Sequence, residues 1–356
     1  MERQASVRPR RPSESGLTLI DVLVGIAVAL VATVVVHHAF VGLAQLRRSA
    51  SAAADAEHTG SFATSLLAIA ADNAGAGVAA AAHWLDSCPA SPEIAATQRP
   101  VLALVIDGGR SDRPDGLVVR RVLQSRLAAP AAFAAAAPAG SSFRVQSPDG
   151  FVVGDRVVAI SRTGTCAMAE VTGVTAVAPG VTDIAHTPVE ADLPVTSLLL
   201  NLGAAARAST LRFDVASGVL RSTDMLNGDA PTPLVSNIAN LKLQYGIDRD
   251  GDGALDDWVG GSVADGFDAA SMLSAPRALL ESIVALRIGV VSRSEDFDPQ
   301  ATSDFHWVLF DCELPDRRAC PGRLEGSIVG SAAGGYRYGI REVVVPLRNS
   351  LWNRPA

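Results

Sequence analysis

Lysine is almost missing from this chain: Lys242 is the only one among 30 basic residues in 356. With 37 acidic residues the net charge is -7. Broad nucleic-acid binding needs dense cationic neutralisation of phosphates, so this balance argues against it. What basic clustering there is, Arg120-Arg121 and Arg317-Arg318 with Arg323, reads as solvated faces or local ion pairs. Catalytic signatures are missing too. There is no C-x-x-C for thiol redox chemistry, no H-E-x-x-H among His37, His38, His58, His83, His186 and His306, and no G-x-S-x-G. The glycines between Gly326 and Gly335 lack the lysine of a phosphate loop and read as a flexible loop. No pair of carboxylates is singled out by spacing, and the chain reads as a non-enzyme. Aromatic residues are 5% and charged residues 19%, against 48% hydrophobic. That composition is too apolar for long disordered tails and calls for a membrane-embedded or heavily buried segment.

The segment is near the start. Residues 1–16 carry Arg3, Arg8, Arg10 and Arg11 and no apolar run; Leu17 to Val36 is then apolar except for Thr18, Asp21 and Thr33. About twenty helical residues at ~1.5 Å each reach ~30 Å, the thickness of a bilayer core. The arginine flank would stay on the cytoplasmic side. No small-residue cleavage site follows His37-His38, which disfavours simple secretion. Asp21 is the anomaly, because an acid inside such a helix costs about 2.5–3.5 kcal/mol unless it is paired or reaches the interface.

Read as G-L-T-L-I-D-V-L-V-G-I-A-V-A-L, residues 16–30 resemble the N-terminus of type IV prepilins: a basic leader ending in glycine, then an apolar helix with an acid at its fifth residue. The resemblance implies cleavage by a prepilin peptidase between Gly16 and Leu17, methylation of the new amine on Leu17, and a role for Asp21 as the position-five carboxylate. In that family the carboxylate pairs with a neighbouring subunit's N-terminal amine during assembly, which is how a buried charge becomes tolerable. Two positions depart from the usual pattern: Leu17 replaces Phe, and Asp21 is one methylene shorter than Glu. Loss of the leader, with its four arginines and two glutamates, takes the net charge from -7 to -9.

No proline occurs between Pro12 and Pro89, and Leu43, Leu46, Ala50, Ala53, Phe62, Leu66 and Ile69 recur at helical spacing. This predicts one helix from Leu17 to about Asp72, in a transmembrane or filament-core half (17–37) and an amphipathic half (38–73), with Gly42 and Gly60 as bend points. The stretch from Asn73 to Gly77 is its stop. From residue 100 the period changes to two. PVLALVID, DGLVVRRVL, DRVVAISRT, STLRFDV, ANLKLQYGID, SIVALRIGVVSR and IREVVVPLRN read as strands between Gly, Pro and Asp turns. The expected fold is α+β, pilin-like, a long N-terminal helix packed on an antiparallel β-sheet domain over 74–356. The alanine-rich stretch 127–140 is expected to be a surface loop or short broken helix.

Four body segments, 153–172, 234–259, 282–294 and 338–349, resemble successive blocks of the PilW minor pilins of type IV pili. Together with the N-terminus they imply a minor pilin in a pilus initiation or tip complex. Such a protein would be held in the inner membrane by one span, with its β domain in the periplasm, before incorporation into the pilus. Its partners would be prepilin peptidase, other minor pilins, the major pilin and a tip adhesin. The alternatives are a minor pseudopilin of a type II secretion system, and a membrane-tethered periplasmic hydrolase.

Two constellations remain. Asp248, Asp250, Asp252, Ala254 and Asp256 occupy positions one, three, five, seven and nine of an EF-type loop with Gly253 at six, and Asp257 or Asp265 is available to complete a shell. The twelfth position is Val259 and a strand precedes the loop, so this is no EF-hand. It reads as a Ca²⁺ loop, with a bare acidic hairpin turn as the alternative. The cysteines, Cys88, Cys166, Cys312 and Cys320, all follow the membrane segment and are expected to form disulfides, Cys312–Cys320 and Cys88–Cys166.

Overall fold

The computed structural model describes residues 18–77, 103–109, 111–122, 130–147, 149–162, 164–204, 208–225, 228–298, 301, 304–312, 320–330 and 334–351. Helix α1 (Leu19–Asp72) runs 54 residues without a break at Gly42 or Gly60. The chain divides into two compact units at Ser51 and Ala52. In the first, the side chains from Leu19 to Val36 are exposed, and the helix is long and apolar enough to cross a membrane.

In the second unit α1 packs on sheet, and the buried stripe differs from the expected one. Ala52, Ala56, Gly60, Ala63, Thr64, Leu67, Ala70 and Ala71 are buried. Phe62 and Ile69 stay 54% and 59% exposed, and Ala53 is exposed with them. The prediction followed the bulky residues. The fold instead uses the small ones, because a helix lined with Ala and Gly can bring its backbone close to a strand. Ser292 Oγ donates to the Ala56 carbonyl at 2.7 Å. A Cβ on Gly339 would lie 3.2 Å from the backbone of Ala56 and Glu57. Arg341 clamps the contact through an ion pair with Glu57 and a 3.0 Å bond from Nε to Ser61 Oγ. The helix stops at Asn73–Gly77 as expected, where Gly75 has φ +79° and its N–H bonds the Arg120 carbonyl at 2.7 Å.

Two antiparallel sheets share the main core with this helix. One has the order β13 (Asp257–Gly260), β12 (Ile238–Ile247), β14 (Ile283–Arg293), β17 (Tyr338–Pro346). The other has the order β1 (Ala103–Ile106), β2 (Gly116–Val122), β9 (Ala208–Ala216), β10 (Val219–Asp224), β11 (Thr232–Val235). Leu67 and Ala71 of α1 meet Leu117, Val119, Leu243, Tyr245, Ile288 and Val290 there. Every residue from Ile283 to Ser292 is buried, as befits the central strand. All seven predicted strands are present, at β1, β2, β5 (Asp155–Ile160), β9, β12, β14 and β17. Short helices α2 (Ala269–Ser274), α3 (Arg277–Glu281) and α4 (Arg348–Leu351) complete these layers.

Between the paired strands β2 and β9 lies a second module with its own core. Its strands run in the order β3 (Ala131–Ala132), β8 (Leu198–Ala204), β5, β6 (Cys166–Ala178), β7 (Val181–His186), β4 (Phe143–Val145). A bridge between Phe133 and Val145 joins its two outer strands, so the sheet closes on itself. Over its described residues, 130–140, this corrects the reading of 127–140 as a surface loop or short broken helix. Ala131, Phe133 and Ala137 are buried in the module, whose closed interior is filled by small and large side chains together. Gly326 is likewise no loop residue. It sits in β16 (Leu324–Ile328) opposite Trp307 of β15 (Phe305–Leu309), where a Cβ would lie 2.3 Å from the indole.

Gly60→Val tests the helix contact. Its Cβ would fall 2.7 Å from Ser292 Oγ, and overpacking of this kind costs about 1–3 kcal/mol. Urea unfolding of the detergent-solubilised protein should show that loss, whereas Gly42→Val, with nothing within 4 Å, should leave the transition in place.

Candidate functional site

Gly16, Leu17 and Cys88 lie outside the described residues, so the expected processing site and one half of the second disulfide have no geometry here. Asp21 is described, and it does more than the sequence reading assigned. Thr18 donates to Asp21 Oδ2 through its N–H at 3.0 Å and its hydroxyl at 2.7 Å. The Asp21 N–H returns a 3.3 Å bond to Thr18 Oγ1. Thr-x-x-Asp is thus a reciprocal cap that satisfies orphan N–H groups in the helix's first turn. That signal was readable in residues 18–21.

The aspartate loop spans the β12–β13 hairpin. Asp248 is buried, and its two oxygens accept the N–H groups of Gly251 at 2.7 Å and Gly253 at 3.0 Å. Gly251 and Gly253 have φ of +81° and +88°, which those turns require. Carboxylate oxygens of Asp248, Asp250 and Asp256 lie within 4.8 Å of one another. Asp252 and Asp257 lie outside that group. Asp252 Oδ1 accepts the Ala254 N–H at 2.7 Å. Asp257 Oδ2 is held by Arg249 Nη2 at 2.7 Å, and that bond keeps its carboxyl below the usual carboxylate range. The loop therefore brings three carboxylates together and leaves out two.

Cys312 and Cys320 form a disulfide with Cα atoms 5.6 Å apart. Cys166, at the start of β6, is also disulfide-bonded. Just after the disulfide, the chain at Pro321 meets β14. Arg287 Nη2 donates to the Pro321 carbonyl at 2.9 Å, and Nε to Gln244 Oε1 at 2.6 Å. Its guanidinium carbon lies 4.6 Å from the Trp258 ring centre and 4.4 Å from that of Phe310. Burial pulls the Arg287 pKa down to about 10.

Sequence reasoning noticed Lys242 without finding its partner. On β12 its Nζ lies 2.8 Å from Asp115 Oδ1, with side chains only 4% and 5% exposed. Asp115 also accepts the N–H groups of Gly108 at 3.0 Å and Leu243 at 2.9 Å. Burial pushes its carboxyl above the usual range, against the pull of Lys242 and these donors. The pair pins the β1–β2 turn to β12 of the other sheet. It also floors a cavity of about 410 Å³ lined by Asp107, Gln244, Trp258, Gly261 and Asp265 among others.

A long apolar N-terminal helix followed by an antiparallel β domain defines this as an α+β protein of pilin-like layout. Residues 212–349 match the family model of PilW, Type IV Pilus-assembly protein W. Over that segment the chain is similar to this family, which supports involvement in type IV pilus assembly. The match takes in the resembling segments at 234–259, 282–294 and 338–349 and leaves out 153–172, which lies in the inserted module. Comparison with curated proteins and with solved structures finds no match.

Removing one partner of the Lys242–Asp115 pair leaves a charge buried alone, so Lys242→Met should destabilise the protein by about 3–5 kcal/mol. Adding Asp115→Leu to Lys242→Met should recover much of that loss in the same urea titration. Equal instability of single and double variants would show that the ion pair is not the source.

Proposed function

We propose that this chain is a PilW-type minor pilin, cut after Gly16 by prepilin peptidase and methylated on Leu17. Residues 17–37 hold it in the inner membrane with its β domain in the periplasm, until it enters the initiation or tip complex of a type IV pilus. It contributes assembly contacts rather than turnover. The match of residues 212–349 to a pilus-assembly family carries the reading, and it favours a pilus over a type II secretion pseudopilus. The exposed apolar run from Leu19 to Val36 supports the anchor, since such a surface is stable only in lipid or against other helices. Other minor pilins, the major pilin and a tip adhesin are its proposed partners.

Asp21 has two successive roles in this scheme. Before cleavage its carboxylate closes the Thr18 cap. After cleavage the chain starts one residue before Thr18, and the carboxylate meets the amine of a neighbouring subunit. Gly16→Arg should block processing, so that mass spectrometry finds the Met1 leader retained. Asp21→Ala should be processed normally yet yield bald cells by electron microscopy. Normal pili in both strains would overturn the mechanism.

In this reading Ca²⁺ sits among Asp248, Asp250 and Asp256, whose convergence supports it. It stiffens the β12–β13 hairpin with an affinity of about 10⁻⁴–10⁻³ M, as in extracellular modules. A few millimolar Ca²⁺ should raise Tm, and Asp250→Asn should remove the effect. An unchanged Tm in the parent protein would leave the loop an acidic turn. Cys88 is the proposed partner of Cys166.

A further inference from the structure

The Lys242–Asp115 cavity carries more charge than its floor explains. At the floor the two groups offset each other. Two further carboxylates line the space, Asp107 and Asp265, both exposed on loops. Asp107 Oδ1 accepts only the nearby Gly109 N–H at 2.9 Å, and Asp265 Oδ2 the Ser262 hydroxyl at 2.6 Å. Neither carboxylate has a cationic partner among the described residues. Gly109, Gly260, Gly261 and Gly322 also line the space, with the indole of Trp258. That indole already has one guanidinium against it, from Arg287 at 4.6 Å. A volume of about 410 Å³ is in the range of ligand pockets, ~300–1,000 Å³.

We propose that this cavity receives one guanidinium group, the side chain of an arginine presented by a neighbouring subunit of the assembly. The chemistry selects it. Two carboxylates without cationic partners favour a cation, and the indole wall favours a flat, weakly hydrated one that can stack while its N–H groups reach carboxylate oxygens. An anionic ligand would meet Asp107 and Asp265 at the mouth. A purely apolar one would leave the buried Lys242–Asp115 pair and the Gln244 amide facing it. The arriving arginine would bond the free oxygens of Asp107 and Asp265, above a floor held rigid by Lys242. The subunit as its source rests on the pilus reading; the cation site itself does not.

Isothermal titration of the full-length protein in detergent with N-acetyl-arginine amide tests the site. N-acetyl-citrulline amide is the uncharged near-isostere. The arginine probe should bind more tightly than the citrulline one, and its affinity should fall as salt is raised. Asp107→Asn and Asp265→Asn should each weaken it by about three- to fivefold, the range for a partly exposed charge pair. Asp149→Asn, in the inserted module, should have no effect. Unchanged circular dichroism and Tm would show that the rim variants remain folded. Equal binding of both probes, no binding of either, or indifference to both rim substitutions would overturn the proposal. A pilus defect in the Gly16→Arg strain bears only on the assembly role. Arginine binding in the purified protein bears only on the cavity.

Discussion

The close approach of α1 to β14 and β17 is the contact on which the β domain is organised. It requires that Ala56, Gly60 and Ala63 present almost nothing beyond backbone, and that Gly339 and Ser292 do the same from the sheet. Only then can Ser292 reach a helix carbonyl. Once the helix is seated there, Leu67 and Ala71 lie over the residues that the two sheets share, and one core forms from three elements. Bulkier side chains on this stripe would lift the helix and open voids beneath it. The composition follows from this: a chain rich in alanine and poor in aromatics suits a helix–sheet contact set by distance rather than by large interlocking side chains.

The sheets are then tied to one another by polar groups. Val105 N–H donates to the buried Tyr245 hydroxyl. Asp115 takes Lys242 and two backbone N–H groups, while the Asp115 N–H bonds the Leu241 carbonyl. Such a network tolerates burial because its donors and acceptors meet, and it fixes where the β1–β2 turn lies relative to β12. The position of the cavity is a by-product of that fixing. The inserted module, with its separate core, interrupts the β2–β9 pair without disturbing it, since both strands resume their register on return, Val122 opposite Ala208.

Much of this was legible in the sequence, and where it was not, the reason is physical. Alternation in segments such as SIVALRIGVVSR located strands well, since burial on one or both faces leaves a periodic trace. The ten further strands among the described residues went unread. Several, such as β3 and β13, are short, and others pair in the closed module, where alanine and glycine blur the period. The helix's buried face was misread because hydrophobicity marks large side chains, whereas close packing selects small ones. In the aspartate loop, spacing identified the acids but could not show that Asp248, Asp250 and Asp256 converge while Asp257 turns to Arg249.

By itself the sequence determined the elements: a helix of more than fifty residues with an apolar first half, antiparallel strands after it, and a glycine and an acid spaced as in prepilins. These are local properties, written in runs and periods of neighbouring residues. Tertiary structure alone decided which groups meet across the chain. Lys242 finds Asp115 127 residues away, Ser292 finds Ala56 across 236, and Asp107 and Asp265 come to line one cavity. Such pairings depend on strand order and on the distance between packed layers, and no local pattern encodes either.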